Sequence, residues 1–367
     1  MNVENIRLIN FRNYKSLNIE LNEKMNIFIG KNAQGKTNLL ESIYMCATGK
    51  SFRTNRDKEI INLSKGEAYI GANIKTGRTQ KFIEIKMERD KPKRIRVNKI
   101  ELKSFKELYS GLNVVVFSPD DLRLIKEGPF ERRNFLDMSI SQIKPVYKHN
   151  INRYNKILFQ RNNLLKSNKS KSNIINLLEI FDLQLVKVGT DIIISRNDFI
   201  EELSKKSYEI HSALTLGEEL KLNYISNVNF KGKNKNDIEN YFLEKLKANA
   251  NKDLITGTTE VGPHRDDMEI KINDITARNF ASQGQQRTIV LSIKLSEVEM
   301  IKAEKGVYPV LLLDDVFSEL DKQRRKYLVQ SFNEMQTIIT ATDIMDLTEL
   351  EKENKTVFYI EDGKVLQ

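Results

Sequence analysis

The chain has 367 residues, with 60 lysines and arginines against 50 aspartates and glutamates, so its formal net charge at pH 7 is +10. A single cysteine, Cys46, excludes an internal disulfide framework and favours a reducing cytoplasm, and no apolar stretch approaches the roughly 20 residues of a membrane helix. The three histidines lie far apart without cysteine partners, which argues against a structural zinc site. The positive surplus indicates either a polyanionic partner, most often nucleic acid, or a merely well-solvated surface.

The first predicted element is a β-hairpin. Apolar residues alternate at Ile6 and Leu8 and again at Leu17 and Ile19, on either side of a polar turn at residues 12–15. The hairpin leads into an apolar run at residues 25–29, which we predict to be a buried strand.

A phosphate-binding loop follows this strand. Residues 30–37 read GKNAQGKT and match the pattern G-x-x-x-x-G-K-[ST], with a helix-forming segment after them. Glycines let backbone N–H groups approach a polyphosphate, the lysine neutralises β- and γ-phosphate charge, and the threonine hydroxyl binds Mg²⁺. The alternative is a plain glycine turn at the end of a strand. We predict that ATP contacts Gly30, Lys31, Asn32, Ala33, Gln34, Gly35, Lys36 and Thr37.

Residues 67–102 alternate without helical periodicity, which predicts antiparallel strands. This lobe is basic, and it is either a phosphate-contacting surface or a set of strands whose lysines protect their edges. Its cationic residues are Arg78, Lys81, Lys86, Arg89, Lys91, Lys93, Arg94, Arg96 and Lys99.

Residues 114–117 predict another buried strand, and from 121 to about 222 the pattern is helical. Two helices, at about 144–165 and after a polar linker at 166–173, predict an antiparallel hairpin inserted into the strand-rich domain. The second helix carries an apolar stripe at Leu177, Leu178, Phe181, Leu185, Val188 and Ile192, which we interpret as packing rather than as a partner-binding face.

From about residue 249 an α/β pattern resumes. Residues 308–315 form an apolar run that ends in Asp314 and Asp315, as a central parallel strand does. Asp314 can bind Mg²⁺ directly or through water, and Asp315 can polarise an attacking water; the alternative is that both cap a helix. Residues 337–340 predict a further strand and residues 357–366 a closing hairpin.

Residues 281–287 read ASQGQQR and precede a helical run at 288–304. Ser282 and Gln285 fit a capping box, so the helix would begin with free N–H groups that form an anion site. Taken alone, this is a good helix N-cap. Together with the phosphate loop and the acidic strand, it resembles the signature motif of ABC-type ATPases.

That resemblance implies that Ser282, Gly284 and Gln285 complete the nucleotide site of a second subunit, and that residues 316–321 are the D-loop at the dimer interface. The chain departs from the superfamily pattern in that Asp315 replaces the usual glutamate and residues 340–343 lack the switch histidine. No glutamine matches the Q-loop, and residues 118–121 occupy that region. These departures predict slow hydrolysis.

Across the whole chain the motifs resemble the RecF family of SMC-like ATPases. The matching segments are LINFRNY at 8–14, the loop at 30–37, TGKSFR at 48–53, FSPDDL at 117–122, ERRNFLD at 131–137, GPHRDD at 262–267, SQGQQR at 282–287 and LLDDV at 312–316. The resemblance implies a weak DNA-stimulated ATPase that dimerises on ATP, binds single-stranded and duplex DNA near gaps, and helps load RecA with RecR and RecO. It also implies that Arg12 approaches the nucleotide.

We therefore predict an α/β fold: an ABC-ATPase-like mixed sheet around the phosphate loop, with an antiparallel β lobe and an inserted helical domain. Residues 1–120 and 226–367 would form the ATPase head and 121–225 the insertion. Lys36, Asp314 and Asp315 would act in catalysis, with Thr37 and Asp314 as Mg²⁺ ligands.

The alternative function is a DNA-binding module whose ATP only holds a conformation. A third candidate, the motor subunit of an ABC transporter, is weakened by the basic lobe and the long helical insertion. A long-armed SMC protein would carry far longer coiled coils. DNA contacts are open between the basic lobe and Arg132, Arg133, His264 and Arg265, although His264 and Arg265 could equally cap a strand or pair with Asp266 and Asp267.

Overall fold

A computed structural model of the chain describes residues 1–102, 108, 111–167, 171–215, 217–332, 334–343, 350 and 354–366. The strands are β1 (Asn2–Phe11), β2 (Tyr14–Glu20), β3 (Met25–Ile29), β4 (Glu67–Thr76), β5 (Thr79–Glu88), β6 (Lys91–Val97), β7 (Ile100–Glu101), β8 (Val114–Phe117), β9 (Leu220–Ile225), β10 (Asp267–Ile272), β11 (Ile275–Thr276), β12 (Val310–Asp314), β13 (Thr337–Ala341), β14 (Lys355–Glu361) and β15 (Lys364–Leu366). The helices are α1 (Lys36–Thr48), α2 (Arg123–Lys126), α3 (Pro129–Ile143), α4 (Pro145–Leu165), α5 (Lys171–Leu214), α6 (Lys235–Thr256), α7 (Ala277–Phe280), α8 (Gln283–Lys305) and α9 (Lys322–Gln330).

The chain divides into two compact units. Unit 1 consists of Met1–Leu122, Ala213–Leu216 and Arg287–Gln367, and unit 2 of Arg123–Ser212 and Gly217–Gln286.

Unit 1 contains an antiparallel lobe of six strands in the order β2-β1-β4-β5-β6-β7. The predicted hairpin is confirmed, because β1 and β2 pair through a two-residue turn between Phe11 and Tyr14. The strands predicted at 67–102 are also confirmed as β4 to β7. Their alternating apolar residues, such as Ile70, Ile83 and Ile85, are buried on one face of the sheet.

The second sheet of unit 1 is mixed, in the order β15-β14-β3-β13-β12-β8. Strands β14, β3, β13, β12 and β8 run parallel, and β15 closes the edge antiparallel to β14, as predicted for the final hairpin. Every residue of β3, β8, β12 and β13 is buried, which explains their continuous apolar sequences. The predicted fold class is confirmed.

Helix α1 contacts strands of both sheets of unit 1. Most of its residues are buried, including Cys46, Leu39 and Leu40, because a helix enclosed between two sheets must be apolar nearly all round. The same core extends to both sheets, so the phosphate loop begins on a strand and ends on a helix that are each fixed by packing.

Unit 2 contains the predicted antiparallel helix pair. Near the start of α4, Tyr147 contacts Arg196 of α5, and near the end of α4, Arg161 contacts Asp182, so the two helices run in opposite directions. The apolar stripe of α5 packs as predicted at Leu178, which is buried together with Leu185, Val188 and Ile192, whereas Leu177 is exposed. The predicted linker is shorter than expected, because α5 begins at Lys171; residues 168–170 lie outside the described part.

Unit 2 also contains a three-stranded sheet in the order β11-β10-β9. The helical interval predicted to reach about residue 222 is therefore wrong at its end, since β9 begins at Leu220. Strand β9 pairs with β10, which lies within the interval 226–367 that we assigned to the head. Because these strands share one ladder, residues 217–286 fall into one compact unit with the helices.

Candidate functional site

Residues 30–37 lie where the parallel topology of the mixed sheet requires them. The loop leaves the carboxyl end of β3, and Asp314 ends β12, with β13 between these two strands. The carboxyl ends of parallel strands meet at one edge of a sheet, where ligands of open α/β sheets commonly bind. The topology therefore brings the two sequence motifs to the same edge.

Two neighbouring turns fix the loop. From the β1–β2 turn, the Asn13 amide donates to the carbonyl of Gln34 at 2.8 Å and the Tyr14 hydroxyl donates to the carbonyl of Gly35 at 3.0 Å. From the β14–β15 turn, the backbone N–H of Asp362 donates to the Gln34 side chain at 2.6 Å. The loop is thus held in place from two sides, through the carbonyls of Gln34 and Gly35 and the side chain of Gln34.

Steric contacts require glycine at both Gly30 and Gly35 of the loop. A Cβ at Gly30 would collide with the backbone carbonyl of Ile360. Gly35 has φ of +115°, and a Cβ there would lie 2.6 Å from the Asn13 amide nitrogen. The glycine pattern is thus imposed by the fold as well as by the ligand chemistry.

The Lys36 ammonium group is buried at the base of the loop. Its Nζ donates to the carbonyl of Gly30 and, at 3.0 Å, to that of Lys31. Burial lowers the pKa of Lys36, while Asp315 and Asp314 favour its charged form. A desolvated ammonium at the base of a glycine-containing loop is suited to an anion.

Asp314 is the point where the loop meets the acidic strand. Its Oδ1 accepts a hydrogen bond from the Thr37 hydroxyl at 2.8 Å and one from the Thr340 hydroxyl of β13, also at 2.8 Å. Hydroxyl and carboxylate oxygens are the ligands that Mg²⁺ prefers, and one or two of them suffice when substrate phosphates supply others. Consistently, no cluster of three or more His, Cys, Asp or Glu side chains suited to a metal occurs in the described part of the chain.

Asp315 begins the turn after β12. Its φ of 54° is left-handed, a conformation that aspartate tolerates better than most residues. Its backbone N–H donates to Thr340 Oγ1 at 3.0 Å, and its carbonyl accepts from the Ser318 hydroxyl at 2.8 Å. The turn holds Asp315 next to Asp314 at the edge of the sheet.

Arg12 lies beside α1, where its side chain is paired with Glu41. Its Nη2 and Nε bind the two carboxylate oxygens of Glu41 at 2.6 and 2.9 Å, and its Nη1 donates to the Glu59 carbonyl at 2.8 Å. Ser51 also donates to Glu41. The predicted role of Arg12 at a nucleotide stays a prediction.

In unit 2, the predicted capping box is confirmed. The Ser282 hydroxyl accepts a hydrogen bond from the N–H of Gln285 at 3.2 Å, and the Gln285 side chain accepts one from the N–H of Ser282 at 2.8 Å. Ser282, Gln283 and Gly284 are exposed. The first turn of α8 thus presents exposed backbone with a positive dipole end.

In unit 1, the part of α8 from Arg287 onward is hydrogen-bonded to residues that follow β12. Arg287 Nη1 donates to the carbonyl of Glu319 at 3.0 Å, and Arg324 Nε donates to the Thr288 hydroxyl at 2.7 Å. The predicted D-loop and the helix of the predicted signature are therefore directly linked.

Several candidate DNA contacts have other partners. In the β lobe, Lys86 pairs with Glu67 at 2.8 Å and Arg94 with Glu88 at 2.6 Å. Lys91 and Lys93 also pair with acids, and Arg89 donates to backbone carbonyls. These pairings do not test the predicted DNA contacts of the lobe, which stay a prediction.

Residues of the segments 131–137 and 262–267 are likewise engaged within unit 2. Arg132 forms a bidentate pair with Asp267 at 2.6 and 2.9 Å, and Arg133 donates to the carbonyl of Asp266. The ring of His264 contacts the Tyr154 hydroxyl and the Thr259 carbonyl, each at 2.8 Å. Arg265 is exposed and pairs with Glu260 at 2.8 Å.

Three site residues escaped the sequence analysis: Asn13, Glu41 and Thr340. Asn13 and Glu41 lie in segments that were recognised, but their partners become visible only in the fold. The sequence did contain a signal for Thr340, because this residue ends the buried strand predicted at 337–340. That strand pairs with β12, which places Thr340 opposite Asp314.

Comparisons with known proteins identify the family. The family model described as RecF/RecN/SMC N terminal domain matches residues 2–365. The DNA replication and repair protein RecF of Alkaliphilus oremlandii is 47% identical over 367 residues, with all of both chains covered. The chain belongs to the RecF family. Another RecF, from Clostridium novyi, is 46% identical over 368 residues, again with all of both chains covered.

Solved structures agree with the RecF assignment. The structure of a recombination mediator protein, RecF-ATP in the RecFOR pathway, has a TM-score of 0.92 and 38% identity, covering 100% of this chain and 98% of the other. An Smc head bound to a domain of ScpA has a TM-score of 0.57 at 17% identity, covering 100% and 97%, and supports the fold alone. Among the described residues, no helix combines the length and apolar character needed to cross a bilayer.

Proposed function

We propose that the chain is an ATP-dependent DNA-binding protein of recombinational repair and replication, whose ATP closes a homodimer on DNA. The observation that carries this proposal is the hydrogen bond of 2.8 Å between the Thr37 hydroxyl and the Asp314 carboxylate. It joins the end of the phosphate loop to the acidic strand, as a Mg²⁺–nucleotide site requires. Membership of the RecF family, for which a structure of RecF-ATP has been solved, supports the same ligand.

The residues of unit 1 fit this ligand. Lys36 and the N–H groups of residues 30–37 would hold the phosphates, and Thr37 and Asp314 would hold Mg²⁺. When bound, the ion and ATP supply a polarised γ-phosphate. Asp315 would orient a water molecule beside it, and Arg12 would approach the nucleotide from its position beside Glu41 in the second turn of α1.

The proposed dimer uses the first turn of α8. Ser282, Gly284 and Gln285 would bind the γ-phosphate held by the other subunit, because the exposed first turn of α8 is the positive end of a helix dipole. ATP then favours the dimer only through contacts that ADP lacks. The proposal includes RecR as a direct partner, RecO and RecA as indirect ones, and single-stranded and duplex DNA near gaps as the substrate. It also retains an ATPase head that carries an inserted helical domain.

A DNA-binding module with a structural nucleotide is the second candidate. It is favoured by Asp315, whose side chain is one methylene shorter than the usual glutamate and whose backbone is held by Thr340. Phosphate release with and without DNA separates the two, because a slow, DNA-stimulated ATPase releases phosphate in many turnovers and a structural nucleotide is not consumed.

The substitution Ser282→Arg tests the dimer. It places a bulky charge at the proposed interface while leaving residues 30–37 unchanged, so we expect ATP affinity within about twofold of wild type and loss of the ATP-dependent dimer. Fluorescent-ATP titration and sedimentation measure the two properties. The matched control is Ser64→Arg, at an exposed serine of the β lobe, which should dimerise normally. Normal dimerisation of Ser282→Arg would refute the assignment of this motif to the second subunit.

A further inference from the structure

Helix α4 (Pro145–Leu165) differs from the other long helices in its charge. Its 21 residues include no aspartate or glutamate. One face packs into unit 2 through buried residues such as Tyr147, Ile151, Tyr154 and Ile157. The solvent face therefore carries every exposed charge of the helix, and all of them are basic.

The residues of the solvent face recur at helical spacing. At about 100° per residue, six exposed side chains fall on an arc of about 120° along roughly three turns. We call this set the α4 outer face, and it consists of Asn152, Arg153, Lys156, Phe159, Gln160 and Asn163. It combines cations, amides and one aromatic ring.

The cations of the α4 outer face lack acidic partners. Across the described ranges, Arg153 and Lys156 form no ion pair. Some exposed lysines elsewhere in unit 2 do pair with acids, such as Lys235 with Asp191 at 2.6 Å and Lys247 with Glu179 at 3.2 Å. The α4 outer face therefore keeps an uncompensated positive charge.

Phe159 is the aromatic member and 66% of its surface is exposed. A single exposed aromatic residue is common, but here it lies about one turn from Lys156 on an acid-free face. Aromatic rings beside cations are the combination on which unpaired bases stack while the backbone phosphates are neutralised. Duplex bases are already stacked and offer no such partner.

We propose that the α4 outer face binds single-stranded DNA, with Phe159 stacking on a base and Arg153 and Lys156 contacting phosphates. The proposal rests on the proposed DNA-binding function and adds the strand type and the surface. Asn152, Gln160 and Asn163 supply hydrogen-bond donors to phosphate or base edges.

The experiment measures the affinity of the full chain for a fluorescent oligothymidylate and for a duplex over a salt series. Arg153→Gln with Lys156→Gln should reduce the slope of log K against log[salt] by about 1.4, since each single-strand phosphate contact contributes about 0.7. Phe159→Ala should weaken single-strand binding about 5- to 150-fold with an unchanged slope and leave duplex binding unaltered. Circular dichroism confirms that each variant is folded.

The matched control is Lys235→Gln with Lys247→Gln, which removes the same charge from unit 2 at ion-paired positions and should leave the slope unchanged. If the wild type binds DNA and the α4 variants match it, the proposed surface is wrong while the proposed function stands. If the wild type binds no DNA, both fail. Equal weakening of single-strand and duplex binding by Phe159→Ala would contradict the single-strand assignment.

Discussion

Among single residues, Asp314 shows how the fold prepares a carboxylate for a metal. It accepts two hydroxyl hydrogen bonds, from Thr37 and Thr340, at one of its oxygens. Two hydrogen bonds to the same oxygen fix the orientation of the carboxylate. The second oxygen receives neither of these two bonds, so Asp314 can be oriented and still coordinate.

His264 is a largely enclosed histidine whose pKa links the stability of the fold to pH. Its pKa falls from the ordinary 6.5 to about 4, first because of burial, and Arg265, Arg133 and Arg161 lower it further while the Thr259 carbonyl opposes them. Tyr154 occupies its other ring nitrogen. Below pH 6.5 the unfolded chain binds a proton at this histidine that the folded chain does not bind. The free energy of unfolding therefore decreases as the pH falls.

We therefore predict that wild type loses up to about 3 kcal/mol relative to His264→Gln between pH 6.5 and pH 4, with little change between pH 7 and 8. Urea unfolding across this range measures the difference. His149→Gln is the matched control, because it makes the same replacement at an exposed histidine of α4. A constant difference between wild type and His264→Gln would contradict the assignment.

The sequence predicts single residues well where a motif fixes the chemistry. Lys36, Thr37 and Asp314 follow from residue type and spacing, and the structure brings Thr37 and Asp314 together. Asn13 could not be predicted in the same way, because its role depends on a turn that meets the loop only after the two sheets have packed. The partners of Arg132 and His264 are likewise set by tertiary contacts.

At the scale of elements, α4, α5 and α6 are joined by one buried arginine. Arg161 of α4 is fully buried and binds Asp182 of α5 at 2.6 Å, Asp253 of α6 at 2.7 Å and the Thr259 hydroxyl at 2.9 Å. Burial raises the pKa of Asp182 and of Asp253, and Arg161 counteracts it. Both carboxylates thus depend on the same cation.

Replacing this cation should be costly. We expect Arg161→Leu to lower the free energy of unfolding by about 3–5 kcal/mol, since it leaves two buried carboxylates without their shared cation. Arg153→Leu, on the exposed face of the same helix, should stay within about 0.5 kcal/mol of wild type. Urea unfolding followed by circular dichroism measures both. Similar stabilities of the two variants would show that the buried cluster does not hold the helices together.

The elements missed by the sequence analysis have distant partners. Strand β9 (Leu220–Ile225) is short and directly follows a helical region, and its partner β10 begins only at Asp267. Local periodicity cannot show a ladder between segments this far apart. By contrast, β12 and α1 carry their own apolar patterns, and they were predicted from those patterns alone.

At the scale of the molecule, each chain contains both halves of the proposed composite site. The phosphate loop and Asp314 belong to unit 1, and the capping box of Ser282 belongs to unit 2. The sequence motifs identify the two halves, but they do not predict how the halves meet. A site that is completed by a second copy of the chain depends on association as well as on folding. The central claim therefore concerns the dimer.

Sedimentation of the wild-type chain at several protein concentrations, with Mg²⁺ and either ATP or ADP, tests this claim most directly. The account predicts dimer at a lower protein concentration with ATP than with ADP, because only ATP offers the γ-phosphate to the second subunit's first turn of α8. Identical sedimentation profiles with the two nucleotides, under conditions where both are bound, would contradict it.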